Sequence, residues 1–481
     1  MEEKLVFLLA FVIPLSCSAP PPNFVVFLAD DLGYGDLSSY GHPTIITPNI
    51  DSLAATGTKF TQFYSAYPIC TPSRSGLLTG RLPVRNGIFT DHSYPIDMAF
   101  RVFLPSNTGG LPSDEVTIPQ VLKQGGYNSA LIGKWHLGHV SCLPTERGFD
   151  EFFGLPYAQD EGCAPYFCPE EDRLLSWPGV PLYNNTKIIE QPVNLNTLTP
   201  RYNERALDFI TRNKDNPFFL FMSYDEVHVP LFASKDFLNT SVRGLYGDAT
   251  LEMDASVGLI MNKLKELNLT NNTLVVFTSD NGAWTRKELD GGSNGLLRGQ
   301  KGETYEGGIR VPTIFSWPGK IPSGKVSMSL GSHLDLLATF AELASVKLPN
   351  RTLDSYSLGP LLLQDKESPR ETVFYYRGKT LMAVRYRNFK AHFVTRSGWG
   401  EDPPIRHDPP ILYNLGTDPS EQYPLQAKQY ETVIDQITKI AQDHTKSVLP
   451  LPKSQLDEME DFNKNIPPCC QLKPVRNCTC G

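Results

Sequence analysis

Three short, uninterrupted apolar runs limit what this chain can fold into more than any other feature. They are Asn23-Phe24-Val25-Val26-Phe27-Leu28-Ala29, Phe218-Phe219-Leu220-Phe221 within Pro217 to Ser223, and Thr273-Leu274-Val275-Val276-Phe277-Thr278-Ser279. Each is too short for an ordinary helix and carries no polar face, which predicts strands buried on both faces of a sheet. Helical signals lie between them: Thr47-Pro48-Asn49-Ile50-Asp51 opens a helix that Gly57 ends, and an amphipathic stretch runs from about Tyr246 to Leu267. Strands alternating with helices predict an α/β fold, in which ligands sit beyond the carboxyl ends of the strands. Two of the runs end there in Asp30-Asp31 and Asp280-Asn281. These four side chains offer only hard oxygen ligands, a set that suits calcium or magnesium rather than zinc.

From about residue 372 the texture changes. Val373 to Gly378, Leu381 to Arg385 and Phe389 to Phe393 are short, aromatic and separated by turn residues, which predicts a smaller α+β domain with an antiparallel sheet. The reading places a large domain at 19–371 and this smaller one, with its cysteine-bearing tail, at 372–481. Residues around 400–410, rich in Pro and Asp, read as irregular. Net charge is -8 and no basic run occurs, so nucleic acid is not an expected partner, and an anionic substrate needs local cations.

Residues 1–18 read as a signal peptide: Lys4, an apolar run from Leu5 to Leu15, then Ser16-Cys17-Ser18. That run is too short to span a bilayer and no later one is long enough. Sequons at Asn184, Asn239, Asn268, Asn271, Asn350 and Asn477 agree with a secretory route, lysosomal or secreted. Without Cys17, eight cysteines remain, an even count that by itself favours four disulfides, one of them using Cys70.

Cys70-Thr71-Pro72-Ser73-Arg74, continued by Ser75-Gly76-Leu77-Leu78-Thr79-Gly80-Arg81, places a cysteine at a loop-to-helix junction with Thr71 able to cap and Pro72 in the first turn. An isolated pattern of this kind reads as a disulfide cysteine or a helix-start thiol. The full dodecapeptide resembles the signature of the sulfatase family, in its arylsulfatase A and N-acetylgalactosamine-6-sulfatase branch, and the resemblance extends from about residue 22 to about 450. It implies an alkaline phosphatase-like fold: a large mixed central sheet with helices on both faces and a smaller C-terminal α+β domain. It also implies that Cys70 is oxidised to formylglycine by the formylglycine-generating enzyme. Seven cysteines would then remain: Cys469, Cys470, Cys478 and Cys480 pair among themselves, Cys163 and Cys168 close a small loop, and Cys142 is left unpaired.

The same resemblance assigns roles residue by residue. Asp30, Asp31, Asp280 and Asn281, with residue 70, hold one divalent cation, Ca2+ in the first place and Mg2+ as the alternative. In Gly133-Lys134-Trp135-His136-Leu137-Gly138, Lys134 contacts sulfate and His136 holds the aldehyde hydrate and takes its proton. His228, in Tyr224-Asp225-Glu226-Val227-His228, protonates the leaving oxygen, a task for a group titrating near neutrality. Lys301 is the second sulfate-binding lysine, and Arg74 steadies the hydrate. The implied substrate is a sulfated sugar or small aryl sulfate, and a homo-oligomer is a possible assembly. The chain departs from relatives where Pro156-Tyr157-Ala158 has alanine in place of a sulfate-contacting serine, and Asp97 to Thr108 lacks a pocket tyrosine. A phosphatase or phosphodiesterase of the same superfamily would use Ser or Thr and usually two zinc ions, and too few histidines stand near the acidic strand ends for that. A sulfatase-like matrix or binding protein with little turnover is the other alternative. Intact matches at Cys70, Arg74, Lys134, His136, His228 and Lys301 argue against it.

Overall fold

The computed structural model describes residues 20–91, 102–139, 141–162, 179–396, 403–457, 468–470, 478 and 480. The three apolar runs are adjacent strands: Asn23–Ala29 lies between Phe218–Ser223 and Thr273–Ser279 and is parallel to both. Asn128–Gly133 and Glu151–Gly154 extend the parallel block beyond Phe218–Ser223. Short antiparallel strands flank it, including Thr313–Ser316 against Thr273–Ser279, so the ten-stranded sheet is mixed.

Alternation along the first strand sorts its side chains onto two cores. Phe24, Val26 and Leu28 face one side with Leu77, Val121, Leu337 and Phe340, carried by helices Cys70–Thr79, Ile118–Leu122 and Asp335–Leu343. Val25 and Phe27 face the other with Leu53, Phe209, Met253 and Val257, carried by helices Pro48–Thr56, Leu198–Arg212 and Leu245–Glu266. Both faces are therefore covered, which is why the strands read as continuous apolar runs.

The C-terminal sheet has four antiparallel strands in chain order, Thr372–Arg377, Thr380–Tyr386, Phe389–Thr395 and Ile405–Asn414. Helix Glu431–Ser447 packs Ile434, Ile437 and Ala441 on Val384, Ala391 and Leu412. The last strand corrects the reading of 400–410 as irregular. Pro409 and Pro410 are tolerated because this is the edge strand and they fall where the register shifts, between the pairs His392–Ile411 and Val394–Arg406. Residues 397–402 lie outside the described residues, as do 1–19, Cys163 and Cys168.

Tail disulfides join Cys469 to Cys478 and Cys470 to Cys480, while Cys70 and Cys142 are free and buried. Asn239, Asn268, Asn271 and Asn350 are exposed and Asn184 is half-buried. Among the described residues no helix is long and apolar enough to cross a membrane.

Phe340 ties its helix to the sheet, stacking 4.4 Å from the ring of Phe24 and meeting Phe219 at 6.0 Å. Phe340→Ala is expected to cost about 3–5 kcal/mol of stability through lost burial and the cavity left behind. Chemical denaturation against the parent protein measures it.

Candidate active site

The parallel strands all deliver their carboxyl ends to one edge of the sheet. Ala29 and Ser279 are register partners, so Asp30 and Asp280 leave the sheet side by side. Asp31 turns back with φ of 62°, and its amide donates to Asp280 Oδ1 at 3.2 Å. Asn281 Nδ2 donates to Asp31 Oδ1 at 2.7 Å. The sequence-predicted acids and amide are thereby brought together.

Helix Cys70–Thr79 points its N-terminus at this edge and is buried along its whole length. Cys70 Sγ lies 3.7 Å from Asp30 Oδ1. Thr71 does not cap the helix: the helix begins at Cys70, the capping position is Ile69, and Thr71 donates instead to the carbonyl of His136 at 2.8 Å. One turn along, Arg74 fans its donors over the strand ends. Its Nε donates to Asp280 Oδ2 at 2.9 Å, and one terminal nitrogen donates to Ser223 Oγ at 2.7 Å and the Lys134 carbonyl at 3.1 Å.

Lys134 follows Gly133, whose φ of 112° and absence of a side chain let the two backbones close up. A Cβ there would meet the Ser223 carbonyl oxygen at 1.8 Å, and the Lys134 amide donates to that same oxygen at 2.7 Å. Lys134 Nζ bonds Asp30 Oδ2. From the opposite side Lys301 Nζ donates to Asp31 Oδ2 at 2.7 Å and rests 4.7 Å from the centre of the Trp284 ring. His228 Nε2 stands 3.6 Å from Asp31 Oδ2, while its Nδ1 is 2.6 Å from the Val229 carbonyl and so carries the proton. His136, with φ of 62°, is held through its own backbone, and its Nε2 lies 3.2 Å from Glu161 Oε1.

Every one of these side chains is buried, and charge decides their ionisation. Burial alone would raise Asp30, but Lys134, His228, Arg74 and Lys301 hold its carboxyl well below the usual range. Burial and the neighbouring Asp30 charge push Asp280 up to about 7, despite Arg74 and Lys134. Burial also raises the Cys70 thiol well above its ordinary value, and lowers His136 and His228, with Lys134 and Lys301 respectively adding to the effect.

Ligand atoms of Asp30, Asp31, Cys70 and His228 lie within 4.8 Å of one another. Asn281 Oδ1 is buried without a hydrogen-bond partner. An orphaned acceptor beside crowded carboxylates, one of them forced toward neutrality, is a donor set with which a hard divalent cation fits. Asp280 has both oxygens on protein partners, Oδ2 on Arg74 and Oδ1 on the Asp31 amide.

Glu161, Trp284 and Ser223 also belong to this neighbourhood and were not singled out from sequence. Trp284 follows the Asp280-Asn281 strand end closely enough to have been flagged. Nothing local to Glu161 or Ser223 marks them, since each acquires its partner across the fold.

A family model described as "Sulfatase" matches residues 22–346, and one described as "C-terminal region of aryl-sulfatase" matches 368–480. N-acetylgalactosamine-6-sulfatase of Rattus norvegicus is 41% identical over 496 residues, covering 95% of this chain and 92% of its own length. Arylsulfatase A of Homo sapiens is 44% identical over 437 residues, covering 85% and 84%. Among solved structures, the PsFucS1 sulfatase from Pseudoalteromonas sp. superposes with a TM-score of 0.79 at 31% identity, over 90% of this chain and 92% of that one. The chain belongs to the sulfatase family of sulfate ester hydrolases.

Glu226 sits under the His228 loop, fully buried, with Thr199 on one oxygen and no hydrogen-bond partner on the other. Burial, with repulsion from Glu252, raises it to about 8. The unfolded chain ionises this carboxyl near 4.5 while the folded protein keeps it protonated, so folding loses stability as pH rises from about 4.5 to 8. Glu226→Gln removes that dependence. Its melting temperature relative to the parent is expected to improve between pH 5 and pH 8, by on the order of a few kcal/mol in stability, as read by scanning calorimetry at both values.

Proposed function

We propose that this protein hydrolyses the sulfate ester of a sulfated sugar or aryl sulfate, with residue 70 as formylglycine and Asp30, Asp31, Asp280 and Asn281 holding one divalent cation, Ca2+ before Mg2+. The observation that carries this reading is the convergence of the Cys70 side chain, Asp30 and Asp31 with Lys134, Lys301 and Arg74 at the head of a buried helix. Formylglycine supplies a hydrated aldehyde as nucleophile, and the cation supplies charge to polarise the sulfate.

Three buried carboxylates already face three buried cations here, so a sulfate monoester entering between Lys134 and Lys301 adds negative charge that only a further cation balances. Lys134 and Lys301 bind and orient the sulfate oxygens. His228, its Nδ1 proton engaged with the Val229 carbonyl, presents Nε2 to the site; the imidazolium, formed when Nε2 takes up a proton, delivers that proton to the leaving alcohol and returns to the neutral ring. His136 is neutral and takes the proton that residue 70 releases as sulfate departs. Arg74 holds the strand-end carboxylates in place through Asp280. A two-zinc phosphatase site receives no support: among the described residues His228 is the one histidine grouped with these acids.

The named activity of the N-acetylgalactosamine-6-sulfatase relatives makes a sulfated amino sugar the first substrate to assay. Maturation by the formylglycine-generating enzyme, passage through the secretory pathway to a lysosomal or extracellular destination, and self-association complete the proposal. So does the division into a leader at 1–18, a catalytic domain at 19–371 and a C-terminal subdomain at 372–481.

The deciding experiment is the mass of the peptide bearing residue 70 from secreted material. Replacement of SH2 by O is expected; an intact thiol or a disulfide there sinks the reading. For the cation, Asp280→Ala is expected to abolish turnover of a chromogenic aryl sulfate while circular dichroism shows the fold retained. Undiminished turnover would remove Asp280 from the ligand set.

A further inference from the structure

The turn Ala158–Glu161 approaches both histidines. Gln159 Nε2 donates to the carbonyls of Asp225 at 3.0 Å and His228 at 2.8 Å, fixing the backbone that carries His228. The Glu161 amide donates to the Ala158 carbonyl at 3.1 Å and the Ala158 amide to Glu161 Oε2 at 3.3 Å, so the turn locks the carboxyl of Glu161 into its own backbone. Its other oxygen, Oε1, is the partner of His136 Nε2 at 3.2 Å, with both side chains buried.

His136 cannot evade this contact. Its amide donates to the Pro156 carbonyl at 3.1 Å and its carbonyl accepts from Thr71, which places its backbone between the 156–161 segment and the start of the Cys70 helix. The remaining ring nitrogen, Nδ1, is buried and has no hydrogen-bond partner. A neutral imidazole has one donor nitrogen and one acceptor nitrogen, and the hydrogen bond made by one fixes the role of the other. Nδ1 has no acceptor within reach, and a buried N–H left without a partner costs more than a bare lone pair. Nε2 therefore carries the proton toward Glu161 Oε1, whose companion Oε2 accepts from the Ala158 amide, and Nδ1 is left bare in a dry site.

We infer that Glu161 is a positioning residue that holds His136 in the tautomer with Nε2 protonated and Nδ1 free to accept a proton. The inference rests on the proposed role of His136 and deepens it. As sulfate leaves, the hydroxyl that remains on residue 70 gives its proton to Nδ1, the carbon–oxygen double bond re-forms, and the bond from carbon to the sulfate oxygen breaks with its electron pair going to sulfate. Burial raises the Glu161 carboxyl well above its ordinary value; in this step it takes no proton from residue 70, and its Oε1 keeps accepting from Nε2–H of the imidazolium so formed. Ala158 at the start of the same turn contributes no polar side chain, so the turn acts through Gln159 and Glu161.

The test reads the tautomer directly. Secreted protein labelled with 15N histidine gives nine ring systems, and His136→Asn identifies the one that belongs to His136. Long-range 15N–1H spectra of the unaltered protein are expected to show Nε2 protonated and Nδ1 bare; a protonated Nδ1 overturns the assignment without any variant being needed. Glu161→Ala is expected to mix the two tautomers and to lower kcat by ~10- to 100-fold with KM for an aryl sulfate unchanged. An unchanged tautomer with unchanged kcat in that variant also overturns it. The spectra do not depend on turnover, so failure of the formylglycine reading, seen as an intact thiol at residue 70, stays distinguishable from failure of this one.

Discussion

The structure depends on packing three carboxylates, Asp30, Asp31 and Asp280, against three cations, Arg74, Lys134 and Lys301, where water is excluded. Like charges at this separation inside a protein repel strongly, and each buried charge carries a desolvation cost that only close partners offset. The response is visible in Asp30, which is held ionised, and in Asp280, which is driven toward neutrality. Such a site is poorly stable as a set of ion pairs and well suited to accept a cation and an anion together. Removing one member strands its partner, so the cluster constrains every element that supplies it.

Those elements are rigid for identifiable reasons. Three acid-bearing or lysine-bearing strand ends, after Ala29, Gly133 and Ser279, are fixed by parallel pairing in the middle of a ten-stranded sheet, and the cysteine is fixed by a helix buried on all sides. Lys301 is carried on a loop, and here the second sheet contributes. Lys390 Nζ donates to the Thr304 carbonyl at 2.8 Å and pairs with Glu306 and Glu421 at 3.0 Å each, while the Glu306 amide donates to Glu421 at 2.7 Å. Tyr64 and Tyr375 hydroxyls donate to the same Glu306 carboxylate. The C-terminal sheet thus braces the segment just beyond Lys301 through a buried polar network whose members have no alternative partner in water.

Much of this was legible in the chain. Runs such as Asn23–Ala29 and Thr273–Ser279 announce doubly covered strands because both faces of the pleat are apolar, and hard oxygen donors at their ends announce a cation site. The Pro-rich 405–414 segment misled because edge position and a register shift, which remove the cost of proline, are properties of pairing rather than of composition. Thr71 misled in the same way: a threonine beside a helix start is a reasonable cap until the fold offers its hydroxyl the carbonyl of His136.

By itself the sequence determined the α/β class, the strand-end acids and the cysteine at the head of a helix, because these are written in local pattern and spacing, whereas the lysines and histidines were singled out only by resemblance to the sulfatases. Tertiary structure alone decided who faces whom. It set Arg74 against Asp280 rather than solvent, left Asn281 Oδ1 without a partner, and brought Glu161 to the ring of His136, 25 residues away in the chain. Hydrogen-bond partners and ionisation are set by distances of a few ångströms between segments far apart in the chain, and no local pattern encodes those distances.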